Sequence, residues 1–277
     1  MGDREKSEDF GQPMKILIWN ILHGGGPRRT PAIALAILDH RPDLVVLTEF
    51  RMTTGGQLAG MLHDHGLAHQ SHTDPPPRTN GILLACRFPI TEVSRPDPGV
   101  FGSKLITASV PGLGVRLCAA HVPDARAHNH HALTRKSLYW NELLDVARRW
   151  RDEPAMLVGD LNTGRPGLDE DAHTLTSAAM LGRLGEAGFS DAYRHLYPRG
   201  RDRSWYSPTG SGFRLDHALT SASLTPRIES VGYSQTEREE RLSDHAPMLL
   251  EIGGEAGRGL GEQKNTQKEG PSGLRAR

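Results

Sequence analysis

The chain has 277 residues and carries 33 Lys plus Arg against 33 Asp plus Glu, so its formal net charge is zero. This length allows one large α/β domain or two small ones. The charge balance excludes a whole-chain field that would attract DNA or an anionic bilayer. Both cysteines, Cys86 and Cys118, lie in apolar runs, which predicts buried, reduced thiols in a cytoplasmic protein.

Polar stretches flank the part of the chain that we expect to fold. Residues 1–13 and 253–277 contain too little apolar sequence to offset the entropy of ordering, which predicts two disordered tails around one domain at 14–252. The N-terminus lacks the apolar core of a signal peptide, and no run is long enough to span a bilayer. We therefore expect a soluble monomer.

The domain begins with alternating strand-like and helix-like runs. KILIWNI (15–21) predicts a strand, TPAIALAILDH (30–40) a helix, and DLVVLTEF (43–50) a second strand. Thr30 is the expected N-cap of the helix, with Pro31 at its first position, where the missing amide donor costs least.

Four more strand-like runs follow across turns rich in Pro and Gly, which predicts consecutive antiparallel strands. They are GILLACRF, PITEVSR, KLITASV and VRLCAAHV. We expect Thr134 to cap the next helix, RKSLYWNELLDVARRW, before the buried strand AMLVGDLN. Four apolar residues of that helix recur at steps of three and four and define one face. They are Trp140, Leu143, Ala147 and Trp150.

Oxygen-bearing side chains and a histidine follow several of the apolar runs. They are Asn20, Glu49, Asp160, Asn162, Asp216, Asp244 and His245. Carboxylates at the ends of buried strands suit Mg²⁺, which prefers oxygen ligands in rigid octahedral geometry. A metal with an orienting Asp and His suits phosphodiester hydrolysis. The pattern therefore predicts an enzyme.

In this order the motifs resemble those of the endonuclease/exonuclease/phosphatase superfamily, which includes exonuclease III, apurinic/apyrimidinic endonucleases, deoxyribonuclease-I-like nucleases, sphingomyelinases and inositol-polyphosphate phosphatases. The resemblance spans Met14 to Ile252. GSKLITASV, TRKSLYWNELL and the stretch from Trp205 to RLDH are most similar to the exonuclease III and AP endonuclease branch. The resemblance and the element order both imply an α/β (α+β) fold, a four-layer α/β/β/α sandwich of two packed mixed sheets with outer helices.

The resemblance also implies roles for four of these residues. Glu49 would be the principal Mg²⁺ (or Mn²⁺) ligand, helped by Asn20. Asp160 would orient and deprotonate the attacking water, with Asn162 holding that water or a phosphate oxygen. The spacing of two predicts that Asp160 and Asn162 share one strand face. Turn formation is the alternative for Asn20, and an Asx-turn is the alternative for GDLN.

Asp216 and His245 are predicted to pair. A buried carboxylate would fix the imidazole tautomer and raise the His245 pKa, so that an imidazolium persists to stabilise the transition state. Asp244 is predicted to contact a second metal position or its water, and loop capping is the alternative.

His121 is a departure from the branch that the chain most resembles, which has Tyr followed by Val-Pro-Asn where this chain has His121-Val-Pro-Asp124. A histidine here is similar to the deoxyribonuclease-I-like, sphingomyelinase and inositol-phosphatase branches, in which it protonates the leaving oxygen or contacts the scissile phosphate. Asp124 puts negative charge near a phosphate. Both differences argue against abasic-site specificity.

Arginine-rich loops around the predicted site offer substrate contacts, with solvated surface as the alternative. We predict contacts from Arg126, Arg201 and Trp205, the last by stacking. Three functions stay open. A nuclease acting on DNA or RNA is favoured, a hydrolase of a small or lipid phosphoester is supported by His121 and the neutral charge, and a non-catalytic scaffold is disfavoured because no predicted catalytic residue is missing.

Overall fold

The computed structural model describes residues 13–125, 128–172 and 175–254. The strands are β1 (Met14–Asn20), β2 (Leu44–Phe50), β3 (His69–His72), β4 (Gly81–Cys86), β5 (Thr91–Ser94), β6 (Leu105–Val110), β7 (Val115–His121), β8 (Ala155–Asp160), β9 (Phe189–Asp191), β10 (Trp205–Tyr206), β11 (Gly212–Phe213), β12 (Asp216–Ser221), β13 (Ile228–Tyr233) and β14 (Met248–Ile252). The helices are α1 (Gly26–Asp39), α2 (Met52–Asp64), α3 (Pro98–Phe101), α4 (His130–Arg149), α5 (Ala179–Glu186), α6 (Ala192–Leu196) and α7 (Thr236–Glu239).

Two six-stranded mixed sheets form the centre of the fold. The first has the order β13-β14-β1-β2-β4-β3 and the second the order β5-β6-β7-β8-β12-β9, with β10 and β11 forming a separate two-stranded hairpin. Within each sheet one pair is parallel, β1 with β2 and β7 with β8. The carboxyl ends of both parallel pairs carry the predicted site residues.

Apolar side chains on alternating strand positions form three layers of packing. Ile18 of β1 and Val158 of β8 belong to the cluster between the sheets, whereas Leu17 of β1 packs under α1 and α2. On the other outer face, Cys118 lies in one cluster with Trp140 and the rest of the predicted apolar face of α4. Helices therefore cover both sheets, and the predicted four-layer sandwich is confirmed.

Both predicted helix starts are wrong by about one turn. The first helix begins at Gly26, so Thr30 lies inside it and its hydroxyl donates to the Gly26 carbonyl. The helix α4 begins at His130, where the Asn129 side chain caps the Ala132 N–H at 3.0 Å. In α1, Pro27 lies in the first turn, where its missing N–H costs least, and in α4 the Asn129 side chain caps the first turn.

The run of consecutive antiparallel strands is only partly as predicted. β5, β6 and β7 pair in sequence, but β4 pairs with β2 and β3 in the other sheet. The chain thus crosses between the sheets after Cys86. Both cysteines are buried and free, as predicted, and burial raises the pKa of Cys86 to about 11.

The described ranges contain no helix long and apolar enough to cross a bilayer. Of the predicted tails, residues 1–12 and 255–277 lie outside the described part of the chain.

Candidate active site

Strand register brings three predicted catalytic residues side by side. His121 at the end of β7 is aligned with Asp160 at the end of β8, and Asp160 is aligned with Asp216 at the start of β12. Gly159 allows this close approach, because its φ is 127° and a Cβ there would lie 2.1 Å from the Ala120 carbonyl oxygen. The second sheet therefore presents two carboxylates and an imidazole at one edge.

The first sheet supplies Asn20 and Glu49 at the same edge. Asn20 ends β1, and Glu49 lies beside it near the end of β2, at a register shift between Thr48 and Phe50. Glu49 has a φ of 59°, which is rare for a residue with a side chain and costs about 1 kcal/mol or more. Such strain is typical of functional positions.

His245 lies on the loop before β14 and is paired with Asp216. Its Nδ1 is 2.7 Å from Asp216 Oδ2, and both residues are buried. Burial alone would lower the His245 pKa, but the Asp216 charge and hydrogen bond, with Asp160 and Asp244, raise it to about 10. The imidazole is therefore a cation at neutral pH.

Asp160 lies at the centre of the cluster. Its Oδ2 accepts a hydrogen bond from Asn20 Nδ2 at 3.0 Å and lies 3.7 Å from His121 Nε2 and 3.9 Å from His245 Nε2. Burial and the Asp216 charge raise the Asp160 pKa to about 7, although His245, Asn20 and the Asn162 N–H act in the opposite direction. A carboxyl group of this pKa can exchange protons near neutrality.

His121 is neutral in this environment. Burial lowers its pKa well below the usual value, and the charges of Lys104, His245 and His23 lower it further. Its Nδ1 is buried without a hydrogen-bond partner in the described part of the chain. A neutral imidazole can donate or accept a hydrogen bond, but it is a poor reservoir of protons at neutral pH.

Glu49 retains capacity for a cation. Its Oε2 accepts a hydrogen bond from the His23 backbone N–H at 2.7 Å and lies 2.8 Å from His23 Nδ1. Its Oε1 has only a 3.4 Å contact with Asn20 Nδ2, while the Asn20 amide oxygen accepts from the Leu22 N–H. In the described ranges no Lys or Arg forms an ion pair with Glu49. A partly exposed carboxylate without a Lys or Arg partner fits a divalent ion.

Asn162 does not share a strand face with Asp160, because β8 ends at Asp160 and Asn162 has a left-handed φ of 46°. The Asn162 N–H donates to Asp160 Oδ1 at 3.0 Å, which is the Asx-turn alternative. Lys136 is fully buried, and its Nζ donates to the Asn162 carbonyl at 2.6 Å. Burial lowers the Lys136 pKa to about 8.

These residues line a cleft of about 750 Å³ with one apolar wall. Trp205, Phe213 and Leu215 form this wall beside His245. Asp244 does not line the cleft, and its Oδ2 instead accepts a hydrogen bond from the Trp205 indole at 3.0 Å. The bridge that pairs Trp205 with His245 brings the indole next to Asp244. Asp244 therefore holds the wall in place.

The described part of the chain tests one of the two predicted arginine contacts. Arg126 lies outside the described residues, and Arg201 is exposed and does not line the cleft. Arg194 and Arg203, in the same arginine-rich stretch, are buried and paired with Asp169 and Asp171 respectively. Buried guanidinium groups with carboxylate partners are structural, because breaking such a pair leaves an uncompensated charge.

A buried network of charged residues lies next to the start of β12, where Asp216 is found. Arg214 is fully buried between Asp169, at 2.7 Å, and Asp191, at 2.5 Å. The Tyr233 hydroxyl donates to the Asp216 carbonyl at 2.7 Å and lies 3.4 Å from Arg214. The network therefore fixes the backbone on both sides of Leu215.

This network predicts the acid stability of the fold. Burial would raise the pKa of Asp169 and Asp191, but Arg214 outweighs it and lowers the Asp169 pKa to about 2 and the Asp191 pKa further. A carboxylate with a depressed folded pKa stabilises the fold above its unfolded pKa of about 3.9. We expect this contribution to be lost as the pH falls from about 4 to about 2.

Replacing one carboxylate partner of Arg214 should change how the stability of the fold depends on pH. Asp191→Asn should lower the free energy of unfolding at pH 7 by about 3 kcal/mol, because Arg214 loses a buried partner, and should flatten the loss below pH 4. Urea unfolding at pH 7, 4 and 3 measures both effects. Asp145→Asn, in an exposed pair with Arg148, is the control and should match the wild type. An unchanged acid slope for Asp191→Asn would contradict this assignment.

Sequence reasoning missed three polar residues of the cleft region. Lys104 and Asn80 line the cleft, and His23 contacts Glu49. Lys104 lies one residue before β6, and its carbonyl accepts a hydrogen bond from the His121 N–H. Its place in the GSKLITASV run was the available signal, but a Lys beside a strand is normally read as solvated surface.

Comparisons with curated proteins give two partial matches. Over 154 residues, 47% of this chain, the sequence is 27% identical to exodeoxyribonuclease III of Haemophilus influenzae, and the match covers 57% of that protein. Over 133 residues, 42% of this chain, it is 29% identical to an exodeoxyribonuclease of Bacillus subtilis, and the match covers 52% of that protein. The chain thus spans little more than half the length of these relatives.

Solved structures match over a longer range. A 3′ phosphatase from Neisseria bound to a product DNA hairpin superposes with a TM-score of 0.76 at 24% identity, and an AP endonuclease from Archaeoglobus fulgidus with a TM-score of 0.76 at 19% identity. Each covers 86% of this chain and 99% of the other, which establishes the fold. Residues 17–245 match the family model, so the chain belongs to the Endonuclease/Exonuclease/phosphatase family, as the motifs predicted.

Proposed function

We propose that this protein is a metal-dependent phosphodiester hydrolase that acts on nucleic acid. One observation carries the proposal. A buried carboxyl group, Asp160, has a pKa raised to about 7 and lies within 4 Å of two imidazoles, one neutral and one cationic. A base that titrates near neutrality next to a fixed cation suits attack by water on a phosphorus atom.

Each of these residues has a distinct proposed task. Asp160 takes the proton of the attacking water as the bond from oxygen to phosphorus forms and the phosphorus–oxygen bond to the leaving alcohol breaks, and solvent water protonates the leaving oxygen. His245, held by Asp216, donates a hydrogen bond to the phosphoryl oxygen that gains negative charge. Neutral His121 contacts the phosphate on the opposite side of Asp160. The Asn162 backbone N–H donates a hydrogen bond that orients the Asp160 carboxylate. Lys136 holds this backbone in position through its hydrogen bond to the Asn162 carbonyl.

Glu49 is the proposed principal ligand of a divalent cation, supported by Asn20. Bound there, Mg²⁺ or Mn²⁺ would polarise the phosphate and neutralise part of its charge. Asp160, Asp216 and His245 form another potential metal group, with ligand atoms within 4.8 Å of one another. His245 Nδ1 and Asp216 Oδ2 already share a hydrogen bond, so these three residues fit a hydrogen-bonded network better than a metal site.

The apolar wall supports a nucleotide substrate. Trp205 is partly exposed and packs against the buried Phe213, so its ring offers a surface on which a sugar or base can pack, beside the charged residues that would hold its phosphate. The names of relatives agree with this, since two are exodeoxyribonucleases and one structural neighbour is bound to a DNA hairpin. Hydrolysis of a small phosphoester is the second candidate, favoured by His121 in place of the Tyr of the nuclease branch that the chain most resembles.

A substrate panel tests the proposal. With Mg²⁺ present, we expect cleavage of single-stranded DNA, RNA or abasic duplex at higher kcat/KM than of bis-p-nitrophenyl phosphate on the same preparation. The net charge of zero and Asp124 predict duplex binding that is weak and falls with salt. Turnover of bis-p-nitrophenyl phosphate without any nucleic-acid cleavage would favour the second candidate. Tight, salt-insensitive binding of an abasic duplex would restore a repair-endonuclease function.

A further inference from the structure

Lys104 is a cation in the cleft to which the proposed mechanism gives no role. It lies just before β6, lines the cleft with His121 and Asp160, and is half-buried. Burial lowers its pKa, while the charges of Glu49 and Asp160 favour the ammonium form. Withdrawing an ammonium group from water is costly, so folds rarely place one in such a position without a function.

The Lys104 ammonium forms no hydrogen bond and no ion pair of 4 Å or less with any described residue. The other lysine beside the cleft differs, because Lys136 is held by the Asn162 carbonyl and by Thr176. The charges of Glu49 and Asp160 act on Lys104, yet neither carboxylate lies within 4 Å of its ammonium group. Its three N–H donors are thus available to an anion in the cleft.

A second unpartnered group lies close by. His121 Nδ1 is buried and has no hydrogen-bond partner within the described ranges, and the Lys104 charge is one cause of the lowered His121 pKa. A buried polar atom without a partner costs free energy unless a ligand satisfies it. Lys104 and His121 together therefore offer donors at one corner of the cleft.

We propose that Lys104, with His121, binds an oxyanion of the phosphoryl group in the cleft. This inference rests on the proposed function and adds a substrate-binding residue to it. The ligand class is a tetrahedral phosphate, because Lys104 and His121 line the same cleft as Asp160 and the apolar wall, so a phosphate attached to a sugar would reach them. Without Lys104, the carboxylates Glu49, Asp124 and Asp160 would leave the corner repulsive to an anion.

Binding of inorganic phosphate tests the proposal without turnover. Phosphate is titrated into ¹⁵N-labelled full-length protein in EDTA and again with Mg²⁺, and amide shifts give the dissociation constant. In wild type we expect shifts at Lys104, His121 and Asp160. Lys104→Met should weaken binding by about tenfold or more, the usual loss for a hydrogen bond to a charged group. Lys104→Arg should retain most of the affinity.

Lys15→Met is the matched control, because Lys15 is exposed and paired with Glu251 at 3.6 Å, away from the cleft. It should bind phosphate as the wild type does. Thermal unfolding verifies that Lys104→Met is folded. Wild-type phosphate affinity in Lys104→Met, or no phosphate binding by the wild type in either buffer, would overturn the proposal.

Kinetics separate this result from the proposed function. If the enzyme turns over bis-p-nitrophenyl phosphate, Lys104→Met should lower kcat/KM by about tenfold or more, since a lost phosphate donor weakens the transition state. Unchanged kcat/KM would refute the role of Lys104 while leaving the proposed hydrolase intact. Absence of any hydrolase activity, with phosphate binding that depends on Lys104, would refute the proposed function alone.

Discussion

Asp160→Asn should reduce kcat by about 10³-fold while leaving KM within a few-fold of wild type. The amide keeps the shape of the side chain but cannot accept the proton of an attacking water. The rising limb of the pH–rate profile, which we assign to ionisation of Asp160, should disappear as well. Steady-state kinetics on bis-p-nitrophenyl phosphate between pH 5 and 9 measure both effects.

Asp160→Asn should not lower the stability of the fold. A stability measurement therefore distinguishes a loss of catalysis from a loss of folding. Burial raises the Asp160 pKa from 3.8 to about 7. An acid with a raised folded pKa destabilises the fold progressively as the pH rises from about 4 to about 7. Asp160→Asn removes this cost, so its unfolding free energy at pH 8 should equal or exceed that of wild type.

Asp124→Asn is the matched control, since Asp124 lines the same cleft but is exposed and is assigned no proton transfer. It should retain kcat and bind anionic substrates equally or more tightly, because a negative charge near phosphate is removed. If Asp160→Asn changed only KM, Asp160 would be a substrate-positioning residue and the assigned base would be wrong.

Glu49→Gln should lower turnover by about 10²-fold at ordinary Mg²⁺ concentrations, because an amide cannot supply the anionic oxygen that the cation prefers. Higher Mg²⁺ should recover part of the rate. A Mg²⁺ titration of the rate measures the shift in half-saturating concentration. Glu186→Gln, an exposed substitution on α5, is the control and should follow the wild-type curve. Equal half-saturation in wild type and Glu49→Gln would exclude Glu49 as the ligand.

Much of the architecture could be predicted because apolar periodicity reports directly on burial. The continuous runs at Leu44–Leu47 and Met156–Val158 have the composition of central strands, and both are fully buried. The face of Trp140, Leu143 and Ala147 packs on the second sheet. The resemblance to the family then predicted the order of the four layers.

Contacts between strands distant in sequence could not be predicted from local patterns. The alignment of His121 with Asp160, and of Asp160 with Asp216, depends on register across β7, β8 and β12. Register is decided by the whole sheet, so no local pattern shows that these three side chains meet. The resemblance grouped them as a site but gave no distances.

Charged side chains were the least predictable part of the site. Lys136, Arg194 and Arg203 have the composition of a basic surface, yet each is buried against a carbonyl or carboxylate from a distant loop. Long side chains can point either way from the same backbone, and the choice depends on partners that the local sequence does not contain. Lys104 was overlooked because a Lys beside a strand is normally read as solvated surface.

Removal of metal from the wild-type protein tests the central claim most directly. The rate on bis-p-nitrophenyl phosphate is measured after EDTA treatment and then during titration with Mg²⁺ or Mn²⁺, with thermal unfolding followed in parallel. We expect no turnover in EDTA, full recovery on re-addition of either ion, and little change in the folded structure. Full activity in EDTA, with the protein folded, would contradict a metal-dependent hydrolase.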